Sequence, residues 1–448
     1  MRQQILALAL CGLPFGIAGC DLDTTNPNAP TQETIFTTPE GLISLGVGLQ
    51  ARLGTSTANF IYGAGLVTDE LGAIGTALST VSDAEQGNVA PNAGFVGEIW
   101  NSSYRTIKTA NDILFNHEAV SLRRGTRSAL VGMAYLIKAA AIGEIAQSFK
   151  ELPLDTYFVP APGTGIKTPV FVDRQTALTF ALALLDSAAL AYNDTIPSAE
   201  FASLVLAPGL NIPSTIPAYR ARFRRILNDW PGALAAADSV SRTVFSVLPF
   251  SSLNRSVIFT NSTGSSGVLP VDAFRLSDPT DSLRTRYHVT AATIVGRIQT
   301  PLDNYARYGA DTASIPLYYP DEILLIKAEA LVNLGRLVEA RAVVDSVRTD
   351  CPGAGRVTAD PGPCQSPYLG PLTATDLLTE IYRNRRYELF ATGLRWEDAR
   401  RLQSVGAPNG IAQRCWLPYP ISERNANPAN VPPDPEGTEP PAFPAPCP

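Results

Sequence analysis

Apolar residues recur at helical spacing through most of the chain from Thr38 onward, whereas strict apolar–polar alternation is scarce. The periodic segments are 38–53, 95–117, 126–149, 174–193, 217–228, 231–244, 320–334, 337–349 and 374–403, many of them rich in Ala and Leu. The stretches 150–173, 194–216 and 250–316 are instead rich in Pro, Gly, Ser and Thr. They predict long loops or short strand pairs laid over a helical scaffold, and loops of that length are commonly functional. The pattern therefore predicts an all-α, mainly helical fold with long loop insertions.

Two of these helical pairs share an internal spacing. Ala221 precedes Ala233 by twelve residues with Asn228-Asp229-Trp230 between them, and Ala328 precedes Ala340 by twelve with Gly335-Arg336-Leu337 between them. Small residues at both points let paired helices approach closely, as in a tetratricopeptide repeat. The copies lie 107 residues apart, so the reading is of repeat-like hairpins separated by a large insertion rather than a tandem array.

The first 19 residues follow a different pattern, with Arg2 followed by an apolar run from Ile5 to Gly19, too short to span a bilayer comfortably. Gly12, Pro14 and Gly16 weaken a spanning helix further, and Ile17-Ala18-Gly19-Cys20 places small residues before a thiol. The segment reads as a lipoprotein signal peptide over 1–19, its end similar to the lipobox of bacterial lipoproteins, with Cys20 as the lipidated residue. Residues 20–31 carry that cysteine and a polar, Pro/Asn-rich tether. A single helical domain over 32–427 follows, with its loop insertion near 250–316, and 428–448 form a C-terminal strap whose nine prolines exclude a helix.

Composition narrows the function. With 35 Lys and Arg against 41 Asp and Glu, the acidic balance argues against nucleic-acid binding, which depends on phosphate neutralisation. Export makes disulfides reasonable, and Cys351, Cys364, Cys415 and Cys447 allow three pairings. Cys351 and Cys364 bracket a turn-rich excursion, which favours a local bridge and leaves Cys415 with Cys447. No C-x-x-C pair is present and only His117 and His288 could assist, so neither a metal site nor a cofactor is expected. The stretch 383–402 packs six arginines and three acids into a chain that is 17% charged. At helical spacing Arg385 falls three residues before Glu388, and Glu397 three and four before Arg400 and Arg401. These charges largely satisfy one another, and the stretch reads as two short helices meeting at Gly393 and locked ionically to the scaffold.

Four stretches carry a family resemblance. "TPEGLISLGVGLQARL" and "WNSSYRTIKTANDIL", with Tyr104, Asn111 and Ile113, resemble the first two helices of the SusD/RagB nutrient-uptake lipoproteins of the bacterial outer membrane. "YYPDEILLIKAEALVNLGRLVEARAVVDSVR" resembles that family's most recognisable hairpin, and "YRNRRYELFATGLRWEDARRL" with "LPYPISERNANP" its C-terminal signature. Thr392 and Leu394 stand where the family usually has Glu and His, and Tyr319 where Arg is common, so the chain is a divergent member. The resemblance implies four tetratricopeptide-like hairpins, long loops as the ligand surface, and a lipid-anchored, cell-surface location on the outer membrane. It also implies a SusC-like TonB-dependent transporter as partner, and capture of an oligosaccharide or peptide nutrient with no chemistry performed on it.

An exported lipoprotein hydrolase and a repeat-type envelope scaffold are the alternative classes. The sequence has neither G-x-S-x-G nor H-E-x-x-H, so no catalytic residue is assigned. Long loops favour ligand capture over scaffolding. Tyr287, Tyr305 and Tyr308 in the insertion, with Tyr62 and Phe95 from the N-terminal loops, are the candidate stacking residues for a sugar or apolar group. Asp69 and Asp272 are candidate hydrogen-bonding groups for a polar ligand.

Overall fold

The structure, a computed structural model, describes residues 32–154, 168–264, 267–351, 362–403 and 414–436. The expected signal peptide, Cys20, its tether and Cys447 lie outside the described residues. Helix Pro39–Leu66 opens with the Thr38 side chain accepting from the Gly41 N–H and with Pro39 in its first turn. It runs past the predicted end at 53, because its second half is buried nearly all round and periodicity vanishes where no face meets water. It packs on helix Gly94–Asn116, which packs on Arg124–Ser148, which in turn packs on Arg174–Asn193. Arg124–Ser148 and Arg174–Asn193 are each long and apolar enough to cross a membrane, yet they pack against each other within this helical body.

Two further pairs, Ile212–Ile226 with Trp230–Asp238 and Pro320–Asn333 with Leu337–Arg348, complete the four hairpins. Ala221, Ala233, Ala328 and Ala340 are fully buried, so the small residues mark the close approaches. Both turns close identically. Asn228 and Gly335 adopt left-handed φ of 58° and 76°. The N–H of Asp229 reaches back to the Arg224 carbonyl, and that of Arg336 to the Leu331 carbonyl, both at 2.9 Å. These are Schellman ends, in which the left-handed residue turns the chain sharply enough to begin the returning helix.

The insertion leaves and rejoins the scaffold through one antiparallel pair, Ser246–Leu248 with Ile315–Tyr318. Within it, Val268–Pro270 pairs with Leu71–Ala73, just after the first long helix, and Val289–Val295 forms a hairpin with Pro301–Tyr305. Cys351 is disulfide-bonded to Cys364.

The charged C-terminal stretch forms helices Ala374–Glu388 and Arg395–Gln403, with Gly393 between them at φ +81°. Glu397 pairs with Arg400 as the helical spacing suggests, but the other partners differ. Arg385 donates to Asp398 at 2.7 Å, not to Glu388, which faces Arg284 of the insertion at 3.6 Å. Asp398 also takes Arg225, and Glu329 takes Arg225, Arg401 and the Tyr382 hydroxyl. Glu397 pairs with Arg400 at 2.9 Å and with Arg174, and Arg400 also donates to the Cys415 and Gln147 carbonyls. The lock is thus tertiary, joining three hairpins to the two helices of the charged stretch. Pairing within one short helix would have left the two elements unconnected. Burial opposes the charge on Glu397, but Arg174, Arg400 and Arg401 more than offset it and hold the carboxyl at about 2.

Candidate functional site

The first long helix ends at Leu66, and the chain turns through Asp69, which is left-handed at φ 55°, before entering strand Leu71–Ala73. The Glu70 N–H bonds the Gly65 carbonyl at 3.1 Å, and the Val271 N–H bonds the Glu70 carbonyl at 3.0 Å. These bonds fix the turn against the insertion. Short helix Ala273–Leu276 follows, with Phe274 stacked on Phe390 at 3.8 Å and Arg275 paired to Asp303 at 2.7 Å. The turn, this short helix and the 386–395 stretch together enclose a cleft of about 210 Å³. Thr68, Asp69, Glu70, Arg386 and Arg395 are its polar lining, and Val271, Ala273, Phe274 and Phe390 its apolar lining.

Glu70 is 5% exposed, and no side chain among the described residues donates to either carboxylate oxygen, toward which the backbone N–H of Ala391 is directed. Burial pushes its carboxyl up to about 7, although Arg395, the Ala391 N–H and Arg386 pull the other way. Arg386 is half-buried and lies beside the Tyr387 ring, with no ion pair or side-chain hydrogen bond among the described residues. Nearby Glu85 is likewise lifted to about 7, chiefly by burial and further by Asp69. The cleft therefore offers an acceptor at its base, donors at its side and an aromatic wall. A group bearing both donors and acceptors over an apolar face, such as a sugar ring, matches that arrangement.

The sequence-derived candidates divide. Asp69 lines the cleft, and Asp272 sits half-buried immediately before the short helix, its N–H bonded to the Pro301 carbonyl. Tyr62 and Phe95 are buried and pack on one another with ring centres 6.1 Å apart. Tyr305 and Tyr308 are 7% and 1% exposed, and the Tyr308 hydroxyl donates to the Ala391 carbonyl. These four rings are core and not exposed stacking platforms: Tyr62 and Phe95 lie on the packed helices Pro39–Leu66 and Gly94–Asn116 and not on loops, and the insertion packs Tyr305 and Tyr308 inward. Tyr287 is half-exposed beneath Arg307, whose guanidinium lies 5.4 Å from its ring. Glu70, Phe274, Arg386, Phe390 and Arg395 were missed. The signal available was the acid adjoining Asp69 and Arg386, which helical spacing leaves without an acid partner.

Among the described residues no group of three or more His, Cys, Asp and Glu side chains is placed to share a metal ion. His117 caps the end of helix Gly94–Asn116, and His288 is buried among Phe274, Tyr287 and Phe390.

Residues 297–415 match the family model of the SusD family. No curated protein matches the chain. Among solved structures, a SusD superfamily protein from Bacteroides fragilis is 16% identical with a TM-score of 0.66, over 88% of this chain and 99% of that one. A SusD/RagB family protein from Bacteroides thetaiotaomicron is 17% identical with a TM-score of 0.63, over 86% and 94%. A SusD-like carbohydrate binding protein from Bacteroides vulgatus is 15% identical with a TM-score of 0.61, over 81% and 83%. Residues 297–415 thus carry the SusD family's pattern, on a chain whose overall fold is that of SusD-superfamily structures.

Proposed function

We propose that the protein is a cell-surface binding lipoprotein, anchored through Cys20 to the outer membrane, that captures an oligosaccharide or peptide and hands it intact to a SusC-like TonB-dependent transporter. The observation that carries the capture step is the buried Glu70 carboxylate, to which no side chain among the described residues donates, at the base of a cleft flanked by Arg386. A buried acceptor left unpaired costs roughly 1–3 kcal/mol, which a ligand hydroxyl or amide N–H recovers on binding. The carbohydrate-binding neighbour of like fold supports the same ligand class.

Protein extracted from membranes tests the assignment. It is expected to co-purify with a large β-barrel, to carry acyl chains on Cys20 by mass spectrometry, and to bind an oligosaccharide or peptide at micromolar or weaker affinity by calorimetry. The ligand is recovered unchanged. Arg386→Gln is expected to weaken binding about tenfold while the melting temperature stays put. Steady product formation by the pure protein would replace this reading with a hydrolase, and purification with neither barrel nor ligand would replace it with a scaffold.

A further inference from the structure

A larger groove lies elsewhere, where the described chain begins. Short helix Gln32–Thr37, the first turns of Pro39–Leu66 and the second half of Gly94–Asn116 enclose about 940 Å³. Arg105, Lys108 and Asp112 line it at spacings of three and four, so they share one face of their helix, and Arg52 faces them from the first long helix. Lys108 is paired with Asp112 at 2.7 Å, whereas Arg52 and Arg105 are exposed and have no ion pair or side-chain hydrogen bond among the described residues. Phe115, three residues beyond Asp112, is 63% exposed, and Phe36 lines the groove half-buried. The groove thus sets three cations, two of them without an acid partner among the described residues, against Glu40 and Asp112, beside the exposed Phe115 ring, on a chain of net charge −6. That pairing is the chemistry of a membrane interface, where guanidinium groups meet lipid phosphates and rings enter the acyl boundary.

Position points the same way. Twelve residues separate Cys20 from Gln32, which is at most about 40 Å of extended chain. We infer that the face carrying Arg52, Arg105, Lys108 and Phe115 is a membrane-contact surface that docks on the phosphate headgroups of the bilayer. The inference rests on the proposed anchoring at Cys20 for its geometry. A tether alone leaves the body free to tumble, whereas headgroup contact beside the tether fixes which side of the body faces the bilayer.

The test removes the lipid so that the surface acts alone. All the contacts described above lie at residue 32 or beyond, so a chain expressed from Asp21 keeps them. Flotation with vesicles of phosphatidylcholine and phosphatidylglycerol, 3:1, is compared with pure phosphatidylcholine at low salt. Binding to the anionic vesicles only is expected, with roughly a fivefold loss for each of Arg52→Gln and Arg105→Gln and a further loss for Phe115→Ser. All of these variants are on exposed positions, and matching melting temperatures confirm that they fold. Absence of binding, equal binding to both vesicles, or unaffected variants overturns the inference. So does a crosslink from position 105 to a co-purified barrel, which would make the face a protein interface. A native Cys20 found unacylated would overturn the anchoring while leaving the vesicle result standing.

Discussion

Glu397 and Glu70 are both buried carboxylates beside arginines of the same charged stretch, yet burial leaves one ionised to about pH 2 and the other protonated to about pH 7. Desolvation is the first cause at both sites. The difference is hydrogen bonding: Glu397 receives Arg174 and Arg400 directly, whereas Arg395 and Arg386 act on Glu70 without filling its oxygens. Completed pairs make the lock, and an incomplete one makes a site that a proton or a ligand can complete. Neighbouring residues of one helix follow the division, since Arg385 is buried against Asp398 while Arg386 stands half-exposed at the cleft.

The comparison breaks first at Asp398. Asp398→Ala strands Arg385 in the interior and leaves Arg225 with Glu329 alone, and is expected to cost about 3–5 kcal/mol in urea denaturation, whereas Glu70→Gln should cost little or stabilise at pH 8. Equal losses would mean that the cleft is as much a lock as the lock.

The pH profile sharpens it. Glu70 keeps its proton in the folded chain up to about pH 7 but in the unfolded chain only to about 4.5, so its contribution is full below 4.5 and is lost as pH rises toward 7. Glu144, buried with Ser56 and Thr57 donating to it, titrates at about 7 and adds to the same decline. Glu397 has the opposite sign, its contribution present above about 4.5 and lost as pH falls toward 2. Glu70→Gln should remove on the order of 3 kcal/mol of the alkaline-side decline and leave the acid limb alone. A profile unchanged in Glu70→Gln would show that its carboxyl is ordinary.

Next in size is the arginine pair. Arg385→Gln should lower stability by roughly 2–3 kcal/mol, and Arg386→Gln by less than about 0.5 kcal/mol, with ligand affinity reporting the reverse order. The smallest effect belongs to the turns outside both regions. Gly335→Ala strains a left-handed residue and should cost about 1 kcal/mol, although no atom obstructs a Cβ there; Asn228→Gly should be near neutral. A large effect in either would show the turns to be coupled to the lock.

Much of the scaffold was legible because its helices carry clear periodicity and its hairpins carry paired alanines. What was lost shows why. Leu53 to Leu66 is too uniformly buried to be periodic, and Arg385 and Glu388 sit at a spacing that suits a local pair while their actual partners come from Asp398 and the insertion. The cleft was legible only in outline. Asp69 and the insertion were identified, but aromatic composition cannot say which way a ring points, and Tyr62, Phe95, Tyr305 and Tyr308 point inward. Glu70 matters because of a hydrogen bond it lacks, and no sequence pattern encodes that.

The strand pair Ser246–Leu248 with Ile315–Tyr318 closes the insertion at its root. Everything from 249 to 314 therefore departs from and returns to one place on the helical body, so its length and content are thermodynamically separable from the scaffold. Doubling such a loop adds only about 0.6 kcal/mol of closure entropy. One wall of the cleft, Val271 to Phe274, hangs on this replaceable excursion, while Glu70 and Arg386 stand on the helical body or beside it. Divergence can then exchange the recognition surface as a cassette, renewing specificity by insertion and deletion while the pairs among Arg174, Arg225, Glu329, Glu397 and Asp398, none of them in the insertion, stay in place.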